Sequence, residues 1–360
     1  MNKTKVLVVD DSATIRTIVK EIINLDPMLT VVGEAKDPFE ARDKIKLLQP
    51  DIITLDVEMP KMDGITFLSN LMRLRPMPVI MLSTLTTQGA DITLKALEIG
   101  AVDFNAKPSF EELIKSKDSF KDALLSKLKA AVGIDQRNLA LDRVQTSNKS
   151  GVLAFTGANR LNHLIAIGAS TGGTEAIKSL LASMPDNCPP IIITQHIPKA
   201  FSGRFATRLN GSCTINVSEA QHGQKIKPGH AYVAPGDMHL TVSSKGSSLF
   251  CTLNDAEPVN RHKPAVDVMY ESLLPIADNV QAVLLTGMGQ DGAQGMLDLK
   301  NNGARTIIQS KESSLIWGMP GSAHALGAHT DELHLDQIGK NLLKFAQLNK
   351  REMQKAIENG

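Results

Sequence analysis

The stretch LIAIGASTGG, Leu164–Gly173, decides the fold of the C-terminal half of this chain. Its apolar start predicts a buried strand, its small residues predict a sharp turn, and the following Thr174–Leu181 is typical of a helix. A strand, a tight turn and a helix form the repeating unit of a parallel sheet. The turn permits two interpretations: Ser170 is either a nucleophile exposed between strand and helix, or part of a glycine loop that binds phosphate.

The same alternation continues through the C-terminal half. Further strands are predicted at Ile191–Gln195, Ala282–Thr286 and Thr306–Gln309, and a terminal helix at Leu335–Ala356. Strands that alternate with helices indicate a Rossmann-like, doubly wound parallel sheet, which binds ligands at the carboxyl ends of its strands. Functional side chains are therefore expected directly after these strands.

The N-terminal half shows a second series of the same kind. Apolar segments predict five strands, at Lys5–Val9, Val31–Ala35, Asp51–Leu55, Val79–Leu82 and Ala101–Phe104. Helical periodicity predicts five helices, near Ser12–Asn24, Pro38–Leu48, Gly64–Leu74, Gly89–Ile99 and Phe110–Val132. We therefore expect this half to form a flavodoxin-like α/β sheet.

A polar stretch separates the two series. QTSNKSG, Gln145–Gly151, lacks large apolar side chains, which is the composition of a linker. The sequence thus predicts an α/β protein with two doubly wound parallel-sheet domains joined by a linker. The expected division is 1–132 and 158–350 for the domains, 133–157 for the linker and 351–360 for a C-terminal tail.

The composition excludes several classes of protein. The 360 residues carry a formal net charge of +1, and no basic stripe suggests binding to nucleic acid. No apolar run approaches the roughly 20 residues that span a bilayer, so membrane insertion is not expected. The three cysteines fit neither a zinc site nor a disulfide framework, which favours a reducing, cytoplasmic location.

Polar side chains follow the predicted strands of the N-terminal half. Asp10 and Asp11 follow the first strand, Asp56 the third, Ser83 the fourth and Lys107 the fifth. Because the carboxyl ends of parallel strands share one sheet edge, we expect these side chains to converge. Convergent carboxylates suit Mg²⁺, and the hydroxyl and ammonium groups would complete an anion site around Asp56.

A nucleophilic triad is predicted at the corresponding edge of the C-terminal sheet. Ser170, His196 and Asp291 each follow a predicted strand. A histidine base and an orienting carboxylate activate a serine, in an arrangement that geometry defines and chain order does not. Asp291 could equally cap the helix that follows it. The backbone N–H groups of Thr171 and Met288 are the best-placed donors for an oxyanion hole.

A competing interpretation is nucleotide binding. GMGQDG, Gly287–Gly292, matches the G-x-G-x-x-G pattern, but the next strand ends at Gln309-Ser310, without the acidic residue that holds a ribose. Neither glycine loop carries the Gly-Lys-Ser/Thr of a P-loop. Hydrolysis is therefore favoured. The histidines other than His196, among them His262, are expected to be structural or exposed.

Residues 1–132 resemble a response-regulator receiver domain. The resemblance rests on the residues above and on the turn Met59-Pro60…Asp63-Gly64, and it implies phosphorylation by a histidine kinase with bound Mg²⁺. The functional positions of the family fall on the phosphoacceptor Asp56, the metal-binding residues Asp10, Asp11 and Asp56, and the switch residues Ser83, Phe104 and Lys107.

Residues from about 160 to 350 resemble the catalytic domain of the chemotaxis protein-glutamate methylesterases, the CheB family. Four segments carry the resemblance, namely Ile167–Gly173, Gln195–Pro198, Ala234–Gly236 and Leu285–Gly292. It implies that the Ser-His-Asp triad, with oxyanion contacts at Thr171 and Met288, needs no cofactor to hydrolyse glutamate γ-methyl esters and to deamidate glutamines on chemoreceptors. The receiver implies that a chemotaxis histidine kinase activates this hydrolase by phosphorylation.

Two other classes of function stay open on the sequence alone. The first is a response regulator with a non-catalytic binding output, such as DNA binding, which the balanced charge of the second half disfavours. The second is a nucleotide-binding α/β enzyme, which the missing ribose acid disfavours. An ester-hydrolysis assay on Ser170→Ala separates both from the esterase.

Overall fold

The structure is a computed structural model that describes residues 3–60, 62–84, 86–107, 117–132, 134, 151–156 and 163–347. The chain divides into two compact units, Met1–Asn148 and Lys149–Gly360, and each is described by itself. Most of the predicted linker 133–157 and all of the predicted tail 351–360 lie outside the described residues.

The first unit alternates strands and helices. Its strands are β1 (Thr4–Val9), β2 (Leu29–Ala35), β3 (Ile52–Asp56), β4 (Val79–Ser83) and β5 (Asp103–Ala106). Its helices are α1 (Ala13–Asn24), α2 (Pro38–Leu48), α3 (Gly64–Leu74), α4 (Thr87–Ile99) and α5 (Lys117–Val132). The N-cap residues of the first four helices are Ser12, Asp37, Asp63 and Thr86. The side chain of each accepts a hydrogen bond from a backbone N–H group in the first turn of its helix.

The five strands form one parallel sheet in the order β2-β1-β3-β4-β5. β3 and β4 are buried along their whole length, as expected of inner strands in a sheet that helices cover on both faces. The chain reverses its direction of winding between β1 and β3. The carboxyl ends of these two strands therefore flank a switch point, where open α/β sheets bind ligands.

Several boundaries in the first unit differ from the sequence-based prediction, among them the start of β2, which is at Leu29 and not at Val31. β5 begins two residues later than predicted, because Gly100 (φ 115°) ends α4 in the left-handed region and the Ala101 N–H still bonds to the Ala96 carbonyl. Residues 110–116 of the predicted fifth helix lie outside the described residues.

The second unit has nine described strands. They are β6 (Leu164–Ala169), β7 (Ile191–Gln195), β8 (Asn216–Glu219), β9 (His230–Val233), β10 (His239–Lys245), β11 (Ser248–Asn254), β12 (Val280–Leu284), β13 (Arg305–Gln309) and β14 (Asp331–Leu333). Its helices are α6 (Gly173–Ala182), α7 (Lys199–Asn210), α8 (Val266–Glu271), α9 (Ala293–Asn301), α10 (Met319–Ala325) and α11 (Leu335–Gln347).

Seven of these strands form a parallel sheet in the order β14-β13-β12-β6-β7-β9-β8. β6 lies between β12 and β7 and is fully buried, which explains its unbroken apolar sequence. The winding reverses at β6, so the ends of β6, β7 and β12 form the second switch point. A two-stranded antiparallel hairpin, β10 with β11, stands apart from this sheet.

Several elements of the second unit were not predicted. The strands β8, β9 and β14 and the hairpin β10–β11 have no counterpart among the predicted strands. The strand predicted at Ala282–Thr286 is β12, which ends at Leu284, because the Thr286 N–H turns to the Gln309 side chain. The terminal helix begins at Leu335 as predicted, and 348–356 lie outside the described residues.

Candidate functional site

The predicted acidic residues of the first unit meet at the carboxyl ends of β1 and β3. Lys107 joins them, since its Nζ lies 2.8 Å from Asp10 Oδ2 and 2.7 Å from Asp56 Oδ1. Asp10 and Asp56 are buried, whereas Asp11 is exposed. Carboxylate oxygens of all three aspartates lie within 4.8 Å of one another. The structure thus brings together four of the residues that the sequence placed at this edge.

The electrostatics of this site favour an added cation. Burial, and next the negative charge of Asp10, raise the pKa of Asp56 to about 6 against the opposing effect of Lys107. Asp10 Oδ2 accepts no well-aligned hydrogen bond even though the Lys107 ammonium is near. Clustered, incompletely neutralised carboxylate oxygens are the donor set that Mg²⁺ prefers. The residues present therefore fit a magnesium ion.

Ser83 and Phe104 lie close to this edge but have partners of their own. The Ser83 hydroxyl is buried and accepts a 2.7 Å hydrogen bond from Thr93 on α4. Phe104 is buried in β5, and the Lys127 ammonium lies 5.1 Å from its ring centroid. Among the described residues, no hydrogen bond joins Ser83 to Asp56. Ser83 is instead tied to α4.

In the second unit, Ser170 stands at the sharp turn between β6 and α6. The Ser170 N–H bonds to the Thr286 carbonyl, and the Ser170 carbonyl accepts hydrogen bonds from Gly173 N and Gln195 Nε2. Gly172 adopts φ 78°, which an L residue rarely tolerates. Three neighbouring segments therefore fix the backbone of Ser170, while its side chain stays half-buried.

His196 and Asp291 form a close pair at the same sheet edge. The His196 backbone N–H bonds to the carbonyl of Ala169, the residue before Ser170. His196 Nε2 lies 2.8 Å from Asp291 Oδ2, and both side chains are buried. Burial alone would raise the pKa of Asp291, but the hydrogen bonds and charge of His196 outweigh it and hold this pKa well below its usual range. Asp291 is therefore ionised at neutral pH.

Asp291 does not cap the helix that follows it. Its carboxylate accepts from the backbone N–H groups of Val266 (2.7 Å) and Asp267 (3.1 Å) and from Asn260 Nδ2 (3.0 Å). The N-cap of α9 is Gly292, which makes no side-chain capping bond. Of the two interpretations that the sequence left open for Asp291, the structure thus favours the partner of His196.

No described hydrogen bond joins Ser170 Oγ to His196. The imidazole nitrogen that faces away from Asp291, Nδ1, is buried and has no hydrogen-bond partner among the described residues. Hydrogen bonds between a nucleophile and its base are often long before substrate binds. The structure therefore provides His196 and Asp291 as a bonded pair, with Ser170 on an adjoining strand end.

The glycine loop after β12 packs directly against Ser170. A Cβ atom built on Gly287 would lie 2.8 Å from Ser170 Cβ, so only glycine fits there. Gly318 N and Met319 N both donate to the Gly287 carbonyl, and Gly287 N donates to Ile316 O. The segment around Trp317 therefore holds the loop that carries Met288.

Sequence reasoning missed two residues of this site. Asn260 donates to Asp291, and the ring of His262 stacks on the ring of His196 with centroids 3.7 Å apart and planes 9° apart. Neither residue ends a strand, so the strand-end rule could not find them. The sequence predicts a structural or exposed His262, and the structure places its half-buried ring in direct contact with His196.

One further cluster could hold a metal ion. One potential ligand atom from each of His324, His329 and Glu332 lies within 4.8 Å of the others. His324 Nδ1 already forms a 3.1 Å ion pair with Glu332, and the His324 and His329 rings stack. These internal contacts account for the cluster without an ion.

The fold and the two sites define a class: an α/β protein with two parallel-sheet units, in which an acidic site precedes a site of serine, histidine and aspartate. The profile of the response regulator receiver domain matches residues 6–117, and that of CheB methylesterase matches residues 165–342. Both predicted parallel-sheet folds are thereby confirmed.

Relatives identify the family more closely. A protein-glutamate methylesterase/protein-glutamine glutaminase of Hydrogenovibrio crunogenus is 46% identical, over 95% of this chain and 99% of its own length. One of Vibrio vulnificus is 48% identical, over 94% and 96%. The solved CheB methylesterase catalytic domain of Thermotoga maritima covers 51% of this chain and 97% of its own, with 34% identity and a TM-score of 0.50. The chain belongs to the protein-glutamate methylesterase/protein-glutamine glutaminase family.

Among the helices that the structure describes, none combines the length and the apolar character needed to span a membrane.

Proposed function

We propose that this protein is a phosphorylation-activated hydrolase that removes methyl groups from glutamate γ-methyl esters of chemoreceptors and deamidates receptor glutamines. The observation that carries the proposal is the buried, hydrogen-bonded pair of His196 and Asp291 at the strand edge next to Ser170. The named activities of its relatives, which align over nearly the whole chain, point to the same substrates.

The proposed reaction begins at Ser170. Its Oγ attacks the side-chain carbonyl carbon while His196 takes the hydroxyl proton, and Asp291 stabilises the imidazolium that forms. Collapse of the tetrahedral intermediate breaks the ester C–O bond, and His196 returns the proton to the departing methanol. Water then attacks the acyl-enzyme by the same route and releases glutamate. A glutamine follows these steps with ammonia as the leaving group.

The ring orientation of His196 assigns the proton-transfer atom. In the familiar serine-protease arrangement the acid binds Nδ1 and the serine faces Nε2. Here the acid binds Nε2, and the buried Nδ1 is the nitrogen that remains for Ser170. We therefore assign general-base catalysis to Nδ1. For the oxyanion, we assign the backbone N–H groups of Thr171 and Met288, because Gly287 brings the second loop against Ser170.

The first unit supplies the regulation. We assign Asp56 as the phosphoacceptor, Asp10 and Asp11 with Asp56 as the Mg²⁺ ligands, and Lys107 as the cation that pairs with the acidic cluster. Bound Mg²⁺ neutralises charge on the transferring phosphoryl group. Ser83 and Phe104 are assigned as switch residues, since Ser83 already bonds to Thr93 on α4. A chemotaxis histidine kinase is the proposed phosphodonor.

The proposed domain boundaries are those predicted from the sequence. Residues 1–132 form the receiver and 158–350 the esterase, with 133–157 as linker and 351–360 as tail. The proposed location is the cytoplasm, where the kinase reaction takes place and where the three free thiols stay reduced. No nucleic acid or membrane insertion is part of the proposal.

The decisive experiment measures methanol release from methyl-labelled chemoreceptor membranes. We expect Ser170→Ala to lower turnover by about 10⁴-fold or more, as removal of a nucleophile does in serine hydrolases. Ser179→Ala, an exposed serine on α6, is the matched control and keeps wild-type turnover. Retained turnover in Ser170→Ala would rule out the serine mechanism.

Regulation is tested in the same assay. Acetyl phosphate with Mg²⁺ should accelerate methanol release by the wild type. Asp56→Asn should keep the basal rate and lose the acceleration. Equal acceleration of both proteins would remove Asp56 from the phosphoacceptor role and leave the esterase proposal intact.

A further inference from the structure

A strained turn, Val259–His262, lies against the His196–Asp291 pair. Its ends are joined by two backbone hydrogen bonds, Val259 N to His262 O (3.1 Å) and His262 N to Val259 O (2.8 Å). Asn260 and Arg261 between them have φ of 53° and 68°, both in the left-handed region. Turns with two such residues favour Asn-Gly, so Arg261 is under backbone strain. Strain of this kind concentrates at functional sites.

The turn and the start of α8 together hold both oxygens of Asp291. Asn260 Nδ2 donates to Asp291 Oδ1 (3.0 Å) and also to Asp267 Oδ2 (2.7 Å). Asp267 N donates to Asp291 Oδ1, and Val266 N donates to Oδ2, the oxygen that faces His196. The carboxylate therefore cannot rotate away from the imidazole without breaking its bonds to Asn260 and to the backbone N–H groups of α8.

His262 holds the other member of the pair. Its ring lies face to face on that of His196, at 3.7 Å and 9°. A stacked ring fixes the plane of the imidazole without contacting its edge. Nε2 therefore keeps its bond to Asp291, and the buried Nδ1 is not blocked by His262.

We propose that Asn260 and His262 are positioning residues for the esterase reaction, Asn260 by orienting Asp291 and His262 by orienting the His196 ring. The inference rests on the proposed function for its kinetic test. It adds a structural unit to the triad, because one turn contacts both the base and its acid. The left-handed backbone of this turn allows Asn260 and His262 to point in the same direction.

The kinetic test uses the full-length protein in the ester assay. Asn260→Gly keeps the left-handed turn and removes only the amide, and His262→Ala removes only the ring. We expect each to lower kcat by about 10- to 100-fold, the scale of a misaligned catalytic group, with KM changed less than about 3-fold. His262→Phe restores a ring face and should recover most of kcat.

Arg261→Gly is the matched control. It relieves the strain at φ 68° between the two proposed residues and should leave kcat at the wild-type level. If Asn260→Gly and His262→Ala both retain wild-type kcat, or if His262→Phe is as slow as His262→Ala, the positioning roles are wrong.

A second measurement does not depend on esterase activity. The His196 Nε2–H proton that bonds to Asp291 should give a downfield NMR resonance in the full-length protein at neutral pH. We expect Asn260→Gly and His262→Ala to broaden or shift it, and Arg261→Gly to preserve it. An unchanged resonance in both test variants overturns the inference. A changed resonance in a protein that lacks esterase activity would refute the proposed function and keep the alignment of the pair.

Discussion

Replacing Asp56 by asparagine should stabilise the first unit at neutral pH. Asp56 is 2% exposed, and burial together with Asp10 raises its pKa to about 6 from an ordinary value of 3.8. A raised carboxyl pKa means that the folded state holds its proton more tightly than the unfolded state does. The wild type therefore has its full stability below about pH 4 and loses stability as the pH rises through 6.

The size of this loss follows from the two pKa values. They differ by about 2 pH units, each worth about 1.4 kcal/mol, so the ionised Asp56 costs about 3 kcal/mol above pH 7 without Mg²⁺. Asp56→Asn removes the charge and with it the pH dependence. We expect the variant to be more stable than the wild type by up to about 3 kcal/mol at pH 7.5 and equal to it near pH 4.

The aromatic residues of this chain make the assay selective. The single tryptophan, Trp317, and both tyrosines, Tyr232 and Tyr270, belong to the second unit. Denaturant unfolding followed by intrinsic fluorescence therefore reports the second unit, whereas far-UV circular dichroism reports both. The Asp56→Asn effect should appear only in the dichroism transition, and added Mg²⁺ should narrow the gap by stabilising the wild type.

The control is Asp43→Asn, which neutralises a carboxylate whose side chain is 66% exposed. It should change stability by less than about 0.5 kcal/mol at either pH. If Asp56→Asn is no more stable than the wild type at pH 7.5 without Mg²⁺, Lys107 fully compensates the buried charge and the reasoning fails.

Three further outcomes follow from the second unit. Asp291→Asn should lower esterase kcat by about 10⁴-fold, because an amide stabilises the wrong imidazole tautomer, and methanol release measures it. Gly287→Ala places a Cβ 2.4 Å from Met319 Sδ and 2.8 Å from Ser170 Cβ. It should therefore lower the free energy of unfolding in urea by about 1–3 kcal/mol and reduce kcat. In the control Gly211→Ala, the new Cβ meets no atom closer than 3.7 Å, and neither quantity should change. Burial raises the pKa of Cys188 and Cys251 to about 12, so an aromatic disulfide reagent at pH 8 should titrate one thiol, the half-buried Cys213, before denaturation and three after it.

The strands that form the sheet centres were predictable because burial on both faces demands unbroken apolar runs. β6 and β7 are fully buried and coincide closely with their predictions. The short edge strands β8 and β14 are only partly buried and carry mixed residues, so periodicity could not distinguish them from loops. The hairpin β10–β11 did leave a signal, since Gly246-Ser247 separates its strands by two residues.

The candidate sites were predictable to the extent that they follow strand ends. Ser170, His196 and Asp56 all do so, and a parallel sheet brings such residues to one edge. Asn260 and His262 reach their site by a different route. They are placed by a turn with a left-handed backbone, and this turn contains no glycine from which the sequence could predict it. No predicted strand adjoins the turn. Their role depends on tertiary contacts, which a pattern of periodicity does not contain.

Two of the buried aspartates, Asp56 and Asp291, show how the same residue type is adapted to opposite tasks. Asp291 accepts hydrogen bonds from two backbone N–H groups, from Asn260 and from His196, and its pKa is held below the usual range. It is a permanent anion, which suits an orienting acid. Asp56 accepts one long backbone hydrogen bond, from Glu58 N at 3.3 Å, and faces a second carboxylate.

Lys107 neutralises only part of the negative charge at Asp56. The pKa of Asp56 is therefore raised, and its ionised form is costly. Bound Mg²⁺ would offset that cost by adding positive charge beside the clustered carboxylates. A fully hydrogen-bonded Asp56 would be a more stable carboxylate and a poorer acceptor. The ionised form of Asp56 is therefore destabilised, which makes the energy of its site sensitive to an added cation. The ionised form of Asp291 is stabilised, which keeps the proposed triad in one charge state.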